Sequence, residues 1–293
     1  MKKDKGIQAG NRKCLIFYII LMAIPTIQFV LFYICVNFNS FLLAFKHYTT
    51  TDSYEINLTK NFTDWFSPQN VELLGGYLRN SLLAFAVQLV VTTPLGVFFA
   101  FYIFKKMPMA GFFRVMLFVP SVVSALVVLK VYTEFFAGAE LLWLSNGTRV
   151  QKLIMVFLGN ILVSFGTSVL LYANKMSAIA PEVMESAQLD GASGIKEFIY
   201  VVFPMIYPTF SVFLITSIAS LLTNQLNNFA FYGFDAQATA TFGYYLFIQL
   251  EKTSNRVYLL PALSALGLMA TAVTIPVTFI VKFFVTKFGP SED

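Results

Sequence analysis

The sequence predicts an all-α integral membrane chain with six transmembrane helices. Two observations carry that prediction. Of 293 residues, 57% are hydrophobic and 12% charged, about half the charged share of a soluble globular protein. Lipid must therefore solvate much of the exterior. The apolar residues also gather in six runs of roughly 18–25 residues, each long enough to cross a hydrocarbon core about 30 Å thick.

The first run, Cys14 to Val36, follows residues 1–13, which carry Lys2, Lys3, Lys5, Arg12 and Lys13. It is longer than the core of a signal peptide and no small-residue cleavage pair follows, so a retained helix is expected. Pro25 should kink it, which neighbouring helices tolerate in a membrane. The second run, Leu82 to Phe104, is closed by Lys105 and Lys106. The third, Phe113 to Val131, is bounded by Arg114 and Lys130, expected to snorkel toward opposite interfaces. The fourth is Leu153 to Ala173. The fifth is Met205 to Leu222, with Pro208 in its first turn. The sixth, Val257 to Val281, is closed by Lys282 and Lys287. Residues 14–293 are expected to form one transmembrane domain.

Charge sets the orientation. Segments 1–13, 105–114, 174–204 and 282–293 hold twelve Lys and Arg, whereas 37–81, 132–152 and 223–256 hold seven. The excess predicts both termini in the cytoplasm. Segment 174–204 contributes little, with Lys175 and Lys196 set against Glu182, Glu185, Asp190 and Glu197. It is built for something other than orientation. The outer segment 223–256 is uncharged from Thr223 to Asp235 and reads as a candidate re-entrant stretch lining a cavity.

Several chemistries are excluded. The span centres hold no Asp, Glu, Lys, Arg or His, whereas ion-coupled transporters usually need an ionisable group at membrane depth; sodium held by carbonyls and hydroxyls stays open. No Gly-x-x-x-x-Gly-Lys-Ser/Thr phosphate loop occurs, so ATP hydrolysis by that route is not expected. The single histidine, His47, forms no nucleophile–base arrangement. Cys14 and Cys35 lie about 30 Å apart along one helix, and no cluster has metal-ligand spacing. No enzyme activity, cofactor or metal is expected. The basic residues sit at the ends of apolar runs rather than on one face, which speaks against nucleic acid.

The segment Ile179 to Pro204 carries the sharpest signal. Pro181 suits a first helical position and Glu182 complements the helix dipole. Gly191 supplies the backbone freedom that a break needs. Ser193 is placed to cap a second helix. In that helix Ile195, Phe198, Ile199 and Val202 form one apolar stripe, with Lys196, Glu197 and Tyr200 off it. The pattern predicts a two-helix elbow suited to docking in a groove on a partner. The competing reading is an amphipathic connector on the lipid surface.

This segment resembles the EAA loop of ABC importer permeases, the binding-protein-dependent inner-membrane components. Glu185, Ala187, Gly191 and Pro204 match that pattern at its spacing, while Ser186 replaces an Ala and Val201 and Phe203 replace Ile and Leu. Asp190-Gly191-Ala192-Ser193 looks like the carbohydrate, maltose-type branch. So does Arg114 to Pro120 at the opening of the third span. The sequence Phe231 to Asp235 departs from the sugar permeases, which carry Gly-Gly-Pro near this point.

The resemblance implies a type I ABC importer permease fold and a division of labour. Two permease chains form the path, an ATPase dimer beneath them docks the EAA loops, and an extracellular binding protein delivers a carbohydrate. Glu185, Ala187, Asp190, Gly191 and Ala192 would couple to the ATPase. Ser217, Ser220 and Asn224, spaced to share one helical face, are the expected solute-path residues; Ser217 and Asn224 resemble positions that touch solute in sugar permeases. The alternative use for such a face is interhelical hydrogen bonding. The alternative function is an ion-coupled secondary transporter or a channel, with 174–204 a plain connector.

Overall fold

A computed structural model describes residues 3–48, 53–139, 146–236, 238–253 and 257–290. Lys2 of the basic cluster and positions 254–256 of the outer segment lie outside them. The chain divides into two compact units, Met1–Phe66 with Thr253–Met269, and Ser67–Lys252 with Ala270–Asp293.

In the first unit one long helical stretch holds the first span, Cys14–Leu43, and its side chains are exposed almost throughout. A short antiparallel hairpin follows, Lys46–Tyr48 against Tyr54–Ile56. Asn61 anchors it. This buried amide donates to the carbonyls of Ala44 at 2.8 Å and Lys46 at 2.7 Å. The Trp65 indole N–H donates to the Ala262 carbonyl at 2.8 Å.

The second unit is built on three long helices and a bent pair. The second span, Pro68–Phe104, starts well before the apolar run and contains a π-helical turn at Gln88–Thr92. The fourth span is Arg149–Ser177, opened by a capping box between Thr148 and Gln151. The fifth span is longer than expected, Ile195–Ala219, with a π-helical turn at Phe198–Val202. The elbow's second arm is thus the start of the fifth span and not a separate helix below it. The sixth span, Leu260–Phe288, runs through both units.

The third span corrects the sequence reading. Ala110–Val122 and Ala125–Gly138 form a pair bent by 106° instead of one straight helix over 113–131. Val123 and Ser124 leave the helical region, with ψ near 145° and 132°. The Ser124 carbonyl then accepts from the Val127 and Val128 amides and starts a new helix. With that bend, Arg114 and Lys130 do not mark opposite ends of one span. Arg114 donates to the Asn174 side chain at 3.1 Å, and Lys130 pairs with Glu134 at 2.7 Å. Gly166 lets the fourth span meet the Leu117 backbone; a Cβ there would collide with the Leu117 carbonyl.

The outer segment after the fifth span is folded rather than extended. Helices Asn228–Tyr232 and Phe242–Thr253 enclose a polar network. Asn228 is fully buried and bonded to Thr239, whose hydroxyl donates to its side-chain oxygen at 2.7 Å. Buried Asn80 of the second span donates to the Ala240 carbonyl at 2.8 Å, and buried Ser81 accepts from the Phe242 amide at 3.0 Å. Such buried polar groups hold one arrangement because each has a partner. Burial pushes the Tyr232 hydroxyl up to about 12, with nearby Tyr132 adding to the shift.

Candidate functional site

The elbow forms as its residues require. Its first arm is Pro181–Leu189, with Pro181 at the first helical position and Glu182 in the first turn. The arm ends in a Schellman motif. The Gly191 N–H donates to the Gln188 carbonyl at 3.0 Å and the Ala192 N–H to the Ala187 carbonyl at 2.9 Å. Gly191 has φ +81°, the left-handed conformation this cap needs. Four of the five coupling candidates, Ala187, Asp190, Gly191 and Ala192, therefore build the break itself. Glu185 sits on the exposed surface of the first arm.

The cap of the second arm differs from expectation. Gly194, with φ +56°, occupies the cap position in place of Ser193, and no side chain caps the helix. The apolar stripe also divides. Phe198 and Val202 are buried, whereas Ile195 is 71% exposed and Ile199 50% exposed. Leu189, at the end of the first arm, is 89% exposed. The elbow thus keeps a row of apolar side chains out of its own core.

Glu197, read as an outward residue, is 2% exposed. Both of its carboxylate oxygens accept from Lys105 Nζ at 2.9 Å. Lys105 follows the last turn of the second span. Around the pair, Phe98 and Phe101 lie 5.1 Å from Phe198, ring centre to ring centre. Val97, Ala100, Ile103, Val202, Ile206 and the first arm's Met184 join one core. Sequence reading missed the pair because its partners are far apart in the chain and Lys105 looked like an ordinary interfacial anchor.

A cavity of about 280 Å³ lies among the second, fourth and fifth spans. Ser217 and Asn224 line it; Ser220 is absent from its wall. The three do not share a helical face, because the helix ends at Ala219 and Asn224 lies in the turn beyond. Ser220 instead donates to the Ser217 carbonyl at 3.1 Å and ends the helix. Ser217 Oγ accepts from Gln88 Nε2 at 3.0 Å, bridging the fifth and second spans.

The turn over the cavity is strained and pinned. Leu226 and Asn227 have φ of +51° and +50°, a costly conformation for residues other than glycine. The Asn224 side chain accepts from the Leu226 amide at 2.9 Å. Asn160 of the fourth span donates to the Leu226 carbonyl at 2.7 Å and accepts from Asn227 Nδ2 at 2.7 Å. Gln88, Asn160 and Asn227 were missed in the sequence. The signal was present, since Gln88 and Asn160 are amides in the middle of apolar runs. Phe85, Phe157, Tyr172, Phe210 and Phe213 complete the wall, and none of the residues lining the cavity is charged. Uncharged amides and hydroxyls beside aromatic rings suit a polyhydroxylated ligand, which is read by hydrogen bonds and ring contact.

No family model matches the chain. A probable ABC transporter permease of Mycoplasma genitalium is 26% identical over 54% of this chain and 51% of its own length. Its Mycoplasma pneumoniae homologue is 27% identical over the same shares. The chain thus spans about half the length of these two relatives. The polygalacturonan/rhamnogalacturonan transport system permease of Bacillus subtilis is 24% identical over 70% of this chain and 68% of its own length. Among solved structures, a chain of a bacterial ABC transporter involved in import of the acidic polysaccharide alginate superposes with a TM-score of 0.75 at 18% identity. That match covers 97% of this chain and 99% of the other. A chain of the alginate transporter in complex with a pentasaccharide-bound periplasmic protein gives a TM-score of 0.71, also at 18% identity, covering 95% and 94%. The likeness extends to permeases named for sugar transport, in agreement with the carbohydrate-branch resemblance of the loop.

Proposed function

We infer that this chain, which has the fold of ABC importer permeases, is one permease subunit of an importer for oligosaccharides cut from a polysaccharide. The observation that carries this reading is the Schellman-capped elbow. Its first arm leaves Glu185 and Leu189 in solvent, and its second arm is the start of a span that lines the uncharged cavity. Exposed apolar residues beside the exposed acidic side chains of Glu182, Glu185 and Asp190 fit a helix laid into a partner's groove. Glu185, Ala187, Asp190, Gly191 and Ala192 form or flank the contact with an ATP-binding-cassette ATPase. A second permease chain completes the path, and an extracellular binding protein delivers the solute. The names of the relatives support a carbohydrate solute, and two of them concern acidic polysaccharides.

The chain acts in a bacterial plasma membrane with both termini in the cytoplasm, as its Lys and Arg distribution favours. Hydrolysis belongs to the partner, and this chain supplies the path and the lever. The test is affinity purification of the tagged chain from its native membrane in mild detergent, followed by identification of what comes with it. An ABC ATPase and a second permease are expected at comparable amounts. Recovery of the chain alone, with ATP-independent solute uptake, would favour a secondary transporter.

A further inference from the structure

The cavity has walls that reach the elbow by different routes. The fifth span, which contributes Phe210 and Ser217, continues directly from the elbow's second arm. The second span, which contributes Gln88, Thr92 and Gly96, has no covalent tie to the elbow. Its inner end meets the second arm through Lys105 and Glu197, bonded through both carboxylate oxygens at 2.9 Å. Immediately beyond, Lys106 and Met109 take φ of +49° and +61°, so the chain turns away directly after the contact.

Stability alone gives little reason for this pair. Phe98, Phe101 and Phe198 already fill the junction with rings. A buried ion pair is often no more stabilising than apolar residues of the same volume, whereas removing one partner strands a charge. What the pair adds is register, because apolar surfaces can slide past one another and a carboxylate held by both oxygens cannot without breaking. The π-helical turns at Gln88–Thr92 and Phe198–Val202 put a local irregularity in each of the two tied helices, a feature common at functional sites.

We propose that the Lys105–Glu197 ion pair is a strut that makes the second span follow the elbow. Displacement of the elbow by the ATPase then moves two walls of the cavity together. Without the strut the fifth span moves and the second lags. Glu197 and Lys105 are positioning residues in this account, and the account rests on the coupling role proposed above.

The test uses the complex copurified with its ATPase, with Cys14 and Cys35 replaced by Ser and spin labels on cysteines introduced at Phe99 and Ile199. Both positions are exposed, one on the second span and one on the second arm. In the parent, the label distance should be narrow and the same in nucleotide-free and vanadate-trapped states. Glu197→Gln should keep the nucleotide-free distance but shift or broaden it on trapping. The charge exchange, Lys105→Glu with Glu197→Lys, should restore the parental pattern. The strut is overturned if Glu197→Gln keeps the parental distance in both states. It is equally overturned if the exchanged pair fails to assemble or behaves like the single variant. Failure of the coupling role itself would appear earlier and separately, as a parent chain that retains no ATPase.

Discussion

At the scale of single residues, the elbow separates conformation from contact. Gly191 holds a left-handed backbone, so Gly191→Val should cost about 1–3 kcal/mol of local strain and lose both the arm's geometry and the ATPase. Glu185 is exposed, so Glu185→Lys should change stability by less than about 0.5 kcal/mol while weakening ATPase retention. Thermal melting in detergent, paired with ATPase retention on the tagged chain, checks both. Normal retention in both variants would reduce the loop to a connector. Gly191 was legible because a break between two helical patterns demands a permissive residue. Glu197 was not. An isolated helix puts it off the apolar stripe, and only packing against a residue 92 positions away turns it inward.

At the scale of elements, the spans could be read from length and composition, and the bend in the third could not. Its two halves are apolar on either side of Val123–Ser124 and average to a normal span, although Ser124 heading a new helix was a faint signal. The cavity was half legible. Ser217 and Asn224 were found through hydroxyl and amide chemistry, but their assumed common face depended on a helix that stops at Ala219. Ser217→Ala leaves the Gln88 amide without its partner across the cavity. Asn224→Ala releases the strained Leu226 turn. Each should lower uptake of the physiological solute by a factor of roughly two to ten, the worth of one neutral hydrogen bond, with assembly and basal ATPase intact. Lost assembly would assign both residues to packing, and unchanged uptake would remove them from the path.

At the scale of the whole molecule, the membrane class followed from a charged fraction too small to cover a soluble surface. The family resemblance followed from spacing within one loop. Both are local properties of sequence, which is why they were legible, whereas the strut and the cavity turn join residues that only folding brings together. The same sequence lacks a phosphate loop, and among the described residues no Asp, Glu, Lys, Arg or His lines the cavity. In the function proposed above, energy enters through the elbow from a partner. The direct measurement is solute accumulation by the purified complex in sealed liposomes, with nucleotide and ion gradients varied independently. The account predicts accumulation of the labelled physiological solute only with binding protein outside and ATP at the ATPase, and none under a sodium or proton gradient alone. Accumulation driven by an ion gradient without nucleotide would contradict it.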